Sequence, residues 1–394
     1  MSVPATAQVE VVPRAARAGL LALGLLSLGH FFVDLYSSAL GALQPLLLDQ
    51  FGLTLTQAGI LGGLLVFSSS VMQPVYGFLS DRLHTRLFAA LGAAVAGVFI
   101  SSLGHASGFG WLIAMACLGG AGIAAFHPQA SSMATTGIEG RRGRAMAIFI
   151  SAGTLGMALG PTYYSAIAGA WGLARTHWAA LPGLVVSALL VWRLPAATRA
   201  SRMPARHAQW RALATIWRPL LVLYFLVFLR SVVQITFTQL LPLYLHVERG
   251  YSVAGASHVL SLYLLAGAVG GFLGGHMSDR LGGRRVILIS MAGSVPFLAL
   301  FFLTSGVASI ASLALGGLIL LFTIPINVVM AQELVPEQAG TVSALTMGFA
   351  WGIAGLIFIP LTGYVADIFS LHYALAALTI FPALGFLLAL RLPK

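Results

Sequence analysis

The sequence predicts an all-α integral membrane protein of twelve transmembrane helices, arranged as two pseudo-symmetric six-helix bundles. Three observations carry that reading. Only 8% of the 394 residues are charged, 59% are hydrophobic and the mean hydropathy is +0.94. A water-facing surface needs roughly 25% charged residues, so the outside of this chain must face lipid. Apolar runs suited to helices of about 20 residues recur along the whole chain. Features of the first half return in the second at an offset near 197 residues.

The apolar runs place helices at 19–48, 54–79, 87–104, 109–134, 145–170 and 178–194 in the first half. In the second half they fall at 219–247, 252–277, 286–305, 308–332, 341–365 and 371–391. With the N-terminus in the cytoplasm, 18 of the 21 arginines and lysines lie on the cytoplasmic side. Arg175 and Arg249 lie outside, and Arg230 falls within a helix. This strong positive-inside bias puts both termini in the cytoplasm of a plasma (inner) membrane. The net charge of +11 is therefore a topology signal. Arginines spread over separate loops make no single nucleic-acid patch. Cys117 stands alone, which excludes an intramolecular disulfide and argues against a cysteine metal site. The first apolar run is too long for a cleaved signal peptide and reads as a retained first helix.

The repeat divides the chain. Pro45 matches Pro242, Gly52 matches Gly250 and Pro128 matches Pro325. The segment Gly77–Leu83 matches Gly275–Leu281 at a shift of 198. Collinear matches across five helices imply an N-terminal bundle over 1–194, a cytoplasmic linker over 195–218 rich in Arg, Ala and Pro, and a C-terminal bundle over 219–394. Parallel six-helix repeats build many secondary transporters, with the substrate site at the midplane between them. No Gly-Lys-Ser/Thr nucleotide loop is present. An ATP-driven pump would need that domain from a partner.

The pattern Gly-x-x-x-Asp-Arg-x-Gly-x-Arg-Arg over Gly275, Asp279, Arg280, Arg284 and Arg285, with a partner copy at Gly77, Asp81 and Arg82, resembles the loop signature of the major facilitator superfamily. In the first copy His84 replaces the usual glycine. The resemblance covers nearly the whole chain and implies the major facilitator fold, with this loop motif gating one closed state. Glycine lets neighbouring backbones approach, and the aspartate suits the start of an opposing helix. Topology anchoring is the plainer role for the same residues.

A finer resemblance is to the fosmidomycin-resistance-like exporters. It rests on His30-Phe31-Phe32-Val33-Asp34, Gln73-Pro74-Val75-Tyr76-Gly77, Phe126-His127-Pro128, Ala331–Pro336 and Gly348–Gly352. Gln129 follows His-Pro where that group is expected to carry glutamate. Gly156, Gly160 and Pro161 resemble the antiporter motif of drug exporters, without its trailing glycines. Antiport is favoured over symport on that ground.

Ionisable residues at membrane depth are functional candidates by default. Asp34 lies near the middle of helix 1, and His30 is one turn earlier on the same face. Burial disfavours the charged form of each, which suits reversible protonation; a structural Asp–His hydrogen bond is the plainer alternative. His127, late in helix 4, is the third proton-coupling candidate, or a packed histidine. Arg230 on helix 7 is offset by 197 from Val33, so it and Asp34 are expected at matched depth. It either binds an anionic substrate group or neutralises Asp34. Gln234, Asn327, Gln129 and Trp351 are further substrate-binding candidates, while Tyr36, Phe237 and Tyr263 could wall the cavity.

Together these readings describe a secondary transporter, not an enzyme, needing no cofactor or metal and acting as a monomer in the lipid bilayer. The leading reading is a proton-coupled antiporter that exports a small drug-like or anionic metabolite molecule. The alternative is a proton symporter importing a small organic anion. A membrane enzyme or receptor would need a catalytic constellation or soluble domain, and neither is visible.

Overall fold

The computed structural model describes residues 14–83, 85–136, 138, 142–194, 217–334, 342 and 344–392. Twelve apolar helical segments account for nearly all of them. They are α1 (Gly19–Phe51), α2 (Leu55–Ser80), α3 (Leu87–Ser101), α4 (Phe109–Ala134), α5 (Arg142–Trp171) and α6 (Leu173–Arg193). After the linker come α7 (Trp217–Val247), α8 (Val253–Leu281), α9 (Gly283–Leu303), α10 (Gly306–Leu334), α11 (Ala350–Ile368) and α12 (Leu371–Ala389). Eleven are long and apolar enough to cross a membrane, and α3 is a shorter apolar helix. No strand occurs among the described residues. Every expected run is a helix, with ends shifted by a few residues. The largest difference is at α11, where Ala344–Phe349 form a π-helical turn before the α-helix begins. The linker lies outside the described residues except for Trp217 and Arg218, which open α7.

The repeat is visible in local chemistry. Gly52 at the end of α1 and Gly250 three residues beyond α7 both have positive φ, at 59° and 70°, a conformation that costs glycine nothing. Thr54 and Ser252 then cap α2 and α8 by accepting from the Gln57 and Gly255 N–H groups. A Cβ on Gly77 would lie 3.5 Å from Pro128, and one on Gly275 would lie 3.7 Å from Pro325. Arg86 donates to the Leu194 carbonyl beyond the end of α6, and Arg284 donates to the Leu390 carbonyl beyond α12 at 3.0 Å. Helix carbonyl ends carry partial negative charge, so an arginine is favourable there.

One apolar core draws only on residues from α1 to α6 and Leu194, including Leu26, Leu43, Phe126 and Leu190. A second core is built mainly from α7 to α12 but also takes in Ala58, Val66 and Ala158. Contact between the two parts of the chain is closest away from the arginine-rich loops. There Gly41 of α1 meets the Thr238 carbonyl of α7, and Gly59 of α2 meets the Ile359 carbonyl of α11. Gly363 of α11 meets the Leu55 carbonyl. A side chain at any of these positions would overlap backbone, so the missing Cβ allows the helices to close.

Candidate functional site

Asp34 is the centre of a polar cluster in the apolar interior. The α1 helix turns back His30 and Asp34 onto one face, and α4 brings His127 to the same carboxylate. His30 Nε2 is 3.2 Å from Asp34 Oδ2, and His127 Nε2 is 3.2 Å from Asp34 Oδ1. The other ring nitrogens are engaged as well: His30 Nδ1 donates to the Phe149 carbonyl and His127 Nδ1 to the Ile123 carbonyl, both at 2.8 Å. A carbonyl oxygen only accepts, which fixes both donors. The ligand-type atoms of the three residues lie within 4.8 Å of one another. Each imidazole faces a different carboxylate oxygen.

The antiporter-motif helix supports this cluster from behind. Gly153, Gly156 and Gly160 form a stripe on α5 at helical spacing, packed against α1. A methyl on Gly153 would overlap His30 and Asp34 themselves, while Gly156 meets the Phe31 carbonyl and Gly160 meets Leu35 and Ser38. Pro161 is buried one residue further on. The motif glycines Gly156 and Gly160 thus pack on the helix that carries His30 and Asp34.

Asp34 and His127 open onto a cavity of about 260 Å³ between the two parts of the chain. Ser69, Gln73, Gln239 and Trp351 share its wall. The serines and Gln239 were not singled out from sequence, because short polar residues on apolar helices carry little signal until their facing partners are known. Trp351 is the expected substrate-site residue that does line the cavity.

Arg230 is fully buried and lies behind that wall. Its guanidinium carbon sits 5.6 Å from the centre of the Trp351 ring, within cation–π range. It donates to Gln234 Oε1 at 2.5 Å and to Ser231 Oγ at 3.3 Å, while its Nε has no partner. No carboxylate pairs with it among the described residues, and Asp34 is held by histidines instead. Asn327 is buried with both amide atoms unpartnered; it does not line the cavity.

Gln129 is placed elsewhere. Its Oε1 accepts from the Ala89 N–H at 2.7 Å, and its Nε2 donates to Ser80 Oγ at 2.5 Å and to the Thr85 carbonyl. It ties the α2–α3 connection to α4 and is not among the residues lining the cavity. In the loop motif, Arg82 stacks over Phe78 at 4.5 Å. The Asp81 side chain and His84 lie outside the described residues, and among the described residues Asp279 and Arg280 enter no hydrogen bond or ion pair. Tyr36 bonds across to α6 through Gly183 N–H and the Ala179 carbonyl, and Phe237 packs on Tyr263. These aromatics hold helices together and do not wall the cavity.

The sequence profile described as Major Facilitator Superfamily matches residues 26–359 and 248–394. The chain belongs to this superfamily. It is a multi-pass membrane transporter, not an enzyme. Within the superfamily it is 30% identical over 385 residues to the fosmidomycin resistance protein of Escherichia coli (strain K12), covering 94% of this chain and 93% of the relative. It is 24% identical over 379 residues to the probable sulfoacetate transporter SauU of Cupriavidus necator, covering 88% and 86%. The fold of this superfamily transporter matches a bacterial homologue of the human lysosomal transporter Spinster, solved in an inward-facing, occupied conformation, with a TM-score of 0.81 at 16% identity, covering 96% and 97% of the two chains. The resemblance read from His30–Asp34, Gln73–Gly77 and Phe126–Pro128 is thus borne out at the level of relatives.

Proposed function

We propose that this transporter is a proton-coupled antiporter that exports a small anionic, drug-like or metabolite molecule across the plasma membrane, with both termini in the cytoplasm. The observation that carries the reading is the Asp34 carboxylate at the cavity wall, bonded by two imidazoles. Such a group can take and give a proton where a substrate would sit, and intramembrane ionisable residues in this role mark coupling sites. The support for an anionic substrate is Arg230. A fully buried arginine without a carboxylate partner is costly, and an acidic group arriving behind or beside Trp351 would relieve that cost. Two relatives named for fosmidomycin resistance and for sulfoacetate fit an acidic cargo.

The test uses purified transporter in oriented proteoliposomes, with fosmidomycin and sulfoacetate as probes. An imposed pH gradient is expected to drive the probe against the direction of proton flow, and Asp34→Asn is expected to abolish that drive. Movement of probe and protons together would replace antiport with symport. Loss of anion transport in Arg230→Ala, with protein level unchanged, is expected as well; unaltered transport of both probes would remove Arg230 from the site.

A further inference from the structure

Bonded directly to one another, the three side chains of the Asp34 cluster have one hydrogen inventory in this conformation. Four contacts need hydrogens: two Nδ1 to carbonyl contacts at 2.8 Å and two Nε2 to carboxylate contacts at 3.2 Å. A neutral imidazole carries one N–H, and here it is committed to the carbonyl. Its Nε2 would then present a lone pair to a carboxylate oxygen, which is repulsive unless a proton lies between them. The cluster therefore holds four hydrogens, where an ionised Asp34 with two neutral histidines would hold two. Its net charge is +1 in place of −1.

We infer that the two extra protons are unequal: the one shared by His30 and Asp34 is resident, and the one shared by His127 and Asp34 is the exchangeable proton, handed to the cavity by His127. The inference rests on the proton-coupled reading above and adds to it which group exchanges and how many protons remain.

The surroundings of the two histidines separate their roles. His30 and Asp34 share one helix and keep their spacing whatever α1 does as a unit. The His30 ring stacks on Phe149 at 4.2 Å, lies 6.0 Å from Phe126 and is backed by Gly153. Its side chain is 8% exposed and does not line the cavity. His127 reaches Asp34 from a different helix, one residue before Pro128, with a side chain 24% exposed and facing the cavity. A shift of α4 against α1 breaks only the His127 contact. When it breaks, the proton leaves with the imidazole, and the His30–Asp34 pair keeps the other as a neutral unit.

No other ionisable side chain among the described residues bonds to the three. The helices packed on α1 offer Phe149 and Gly153 from α5 and Phe126 from α4. Tyr36 and Tyr164 bond to Gly183 and Ser101, and Arg230 is held by Gln234 and Ser231.

The experiment is a pH titration of the full-length transporter in nanodiscs, with nitrogen-15 labelled histidine, from about pH 5 to about pH 9. Resonances are assigned with His30→Gln and His127→Gln. The expected result is that His127 passes from the charged to the neutral form while His30 stays hydrogen-bonded and charge-sharing throughout. A potentiometric difference between wild type and His127→Gln is expected to count about one proton per chain, and it needs no resonance assignment. Simultaneous titration of both rings, titration of His30 alone, or a count near zero or two would overturn the inference. Failure of pH-driven export with this titration intact would sink the antiport reading and leave the inventory standing. Pumping with a silent His127 would do the opposite.

Discussion

Asp367 on the last turn of α11 holds Thr56 at the start of α2. Its carboxylate accepts from the Leu55 and Thr56 N–H groups, each at 2.9 Å, and from the Thr56 hydroxyl at 2.5 Å. A carboxylate at a helix N-terminus satisfies donors that have no partner within the helix and meets the positive end of its dipole. This bond joins residues from opposite halves of the sequence, on the side where Gly59 and Gly363 let α2 and α11 touch.

Asp367→Asn should therefore loosen that side. Replacing charge-assisted bonds by weaker neutral ones is expected to cost about 2 kcal/mol, which shifts the balance between conformations by roughly thirtyfold. Spin-label distances between the α1–α2 and α11–α12 connections would report it as a new long-distance population. An unchanged distance distribution would show that glycine packing alone keeps this side closed.

Gly153→Ala should disable the transporter without unfolding it. The added methyl overlaps both members of the His30–Asp34 pair, so at least a tenfold loss of export is expected, from a site displaced by about an ångström. Gly110 faces open space, so Gly110→Ala serves as the matched control. Equal transport by the two variants would count against the packing described for α5.

Gln129→Glu restores the residue expected from the fosmidomycin-resistance-like pattern, and it should destabilise this chain. The carboxylate would retain an acceptor for Ala89 N–H but could no longer donate to the Thr85 carbonyl. Stability should fall by about 1–3 kcal/mol for the unmet bond. Thermal unfolding compared with wild type gives the sign directly.

Arg249→Ala should lower thermal stability more than the loss of any exposed arginine. Its guanidinium donates to the carbonyls of Phe301, Phe302 and Thr304 at the end of α9 and to Tyr244. Removing it leaves several helix-end carbonyls unmet, at a cost of about 2–3 kcal/mol. Arg175, which is exposed, provides the comparison; equal melting temperatures would refute the capping role.

The helices were legible because lipid demands long apolar runs, and the repeat was legible because its Gly and Pro positions are fixed by backbone geometry. Asp34, His30 and His127 were legible as single residues, since ionisable groups at such depth are rare. Their contact across α1 and α4 was not, because nothing in one sequence states which faces of two helices meet. The same limit hid Asp367: an acid near a helix end reads as a water-solvated charge until α2 arrives opposite it. A faint signal existed in the Thr54 and Gln57 capping box, which marks a helix start whose remaining donors need an acceptor. Gln129 shows the converse. Its position beside His127 suggested a cavity residue, yet two residues along a helix turn a side chain by about 200°, and it points to the α2–α3 connection.

Arg86 and Arg284 each hold the carbonyl end of the last helix in their own half, Leu194 in one and Leu390 in the other. Neither staple crosses between the halves. A rocking motion that opened the Asp367 side would stretch neither of them, so each loop rides with the helix it grips. Among the described residues, the strain of such a motion then falls on the glycine seams, on the Thr162–Ser261 bond and on Asp367, and the arginines behave as the rivets of two separate levers.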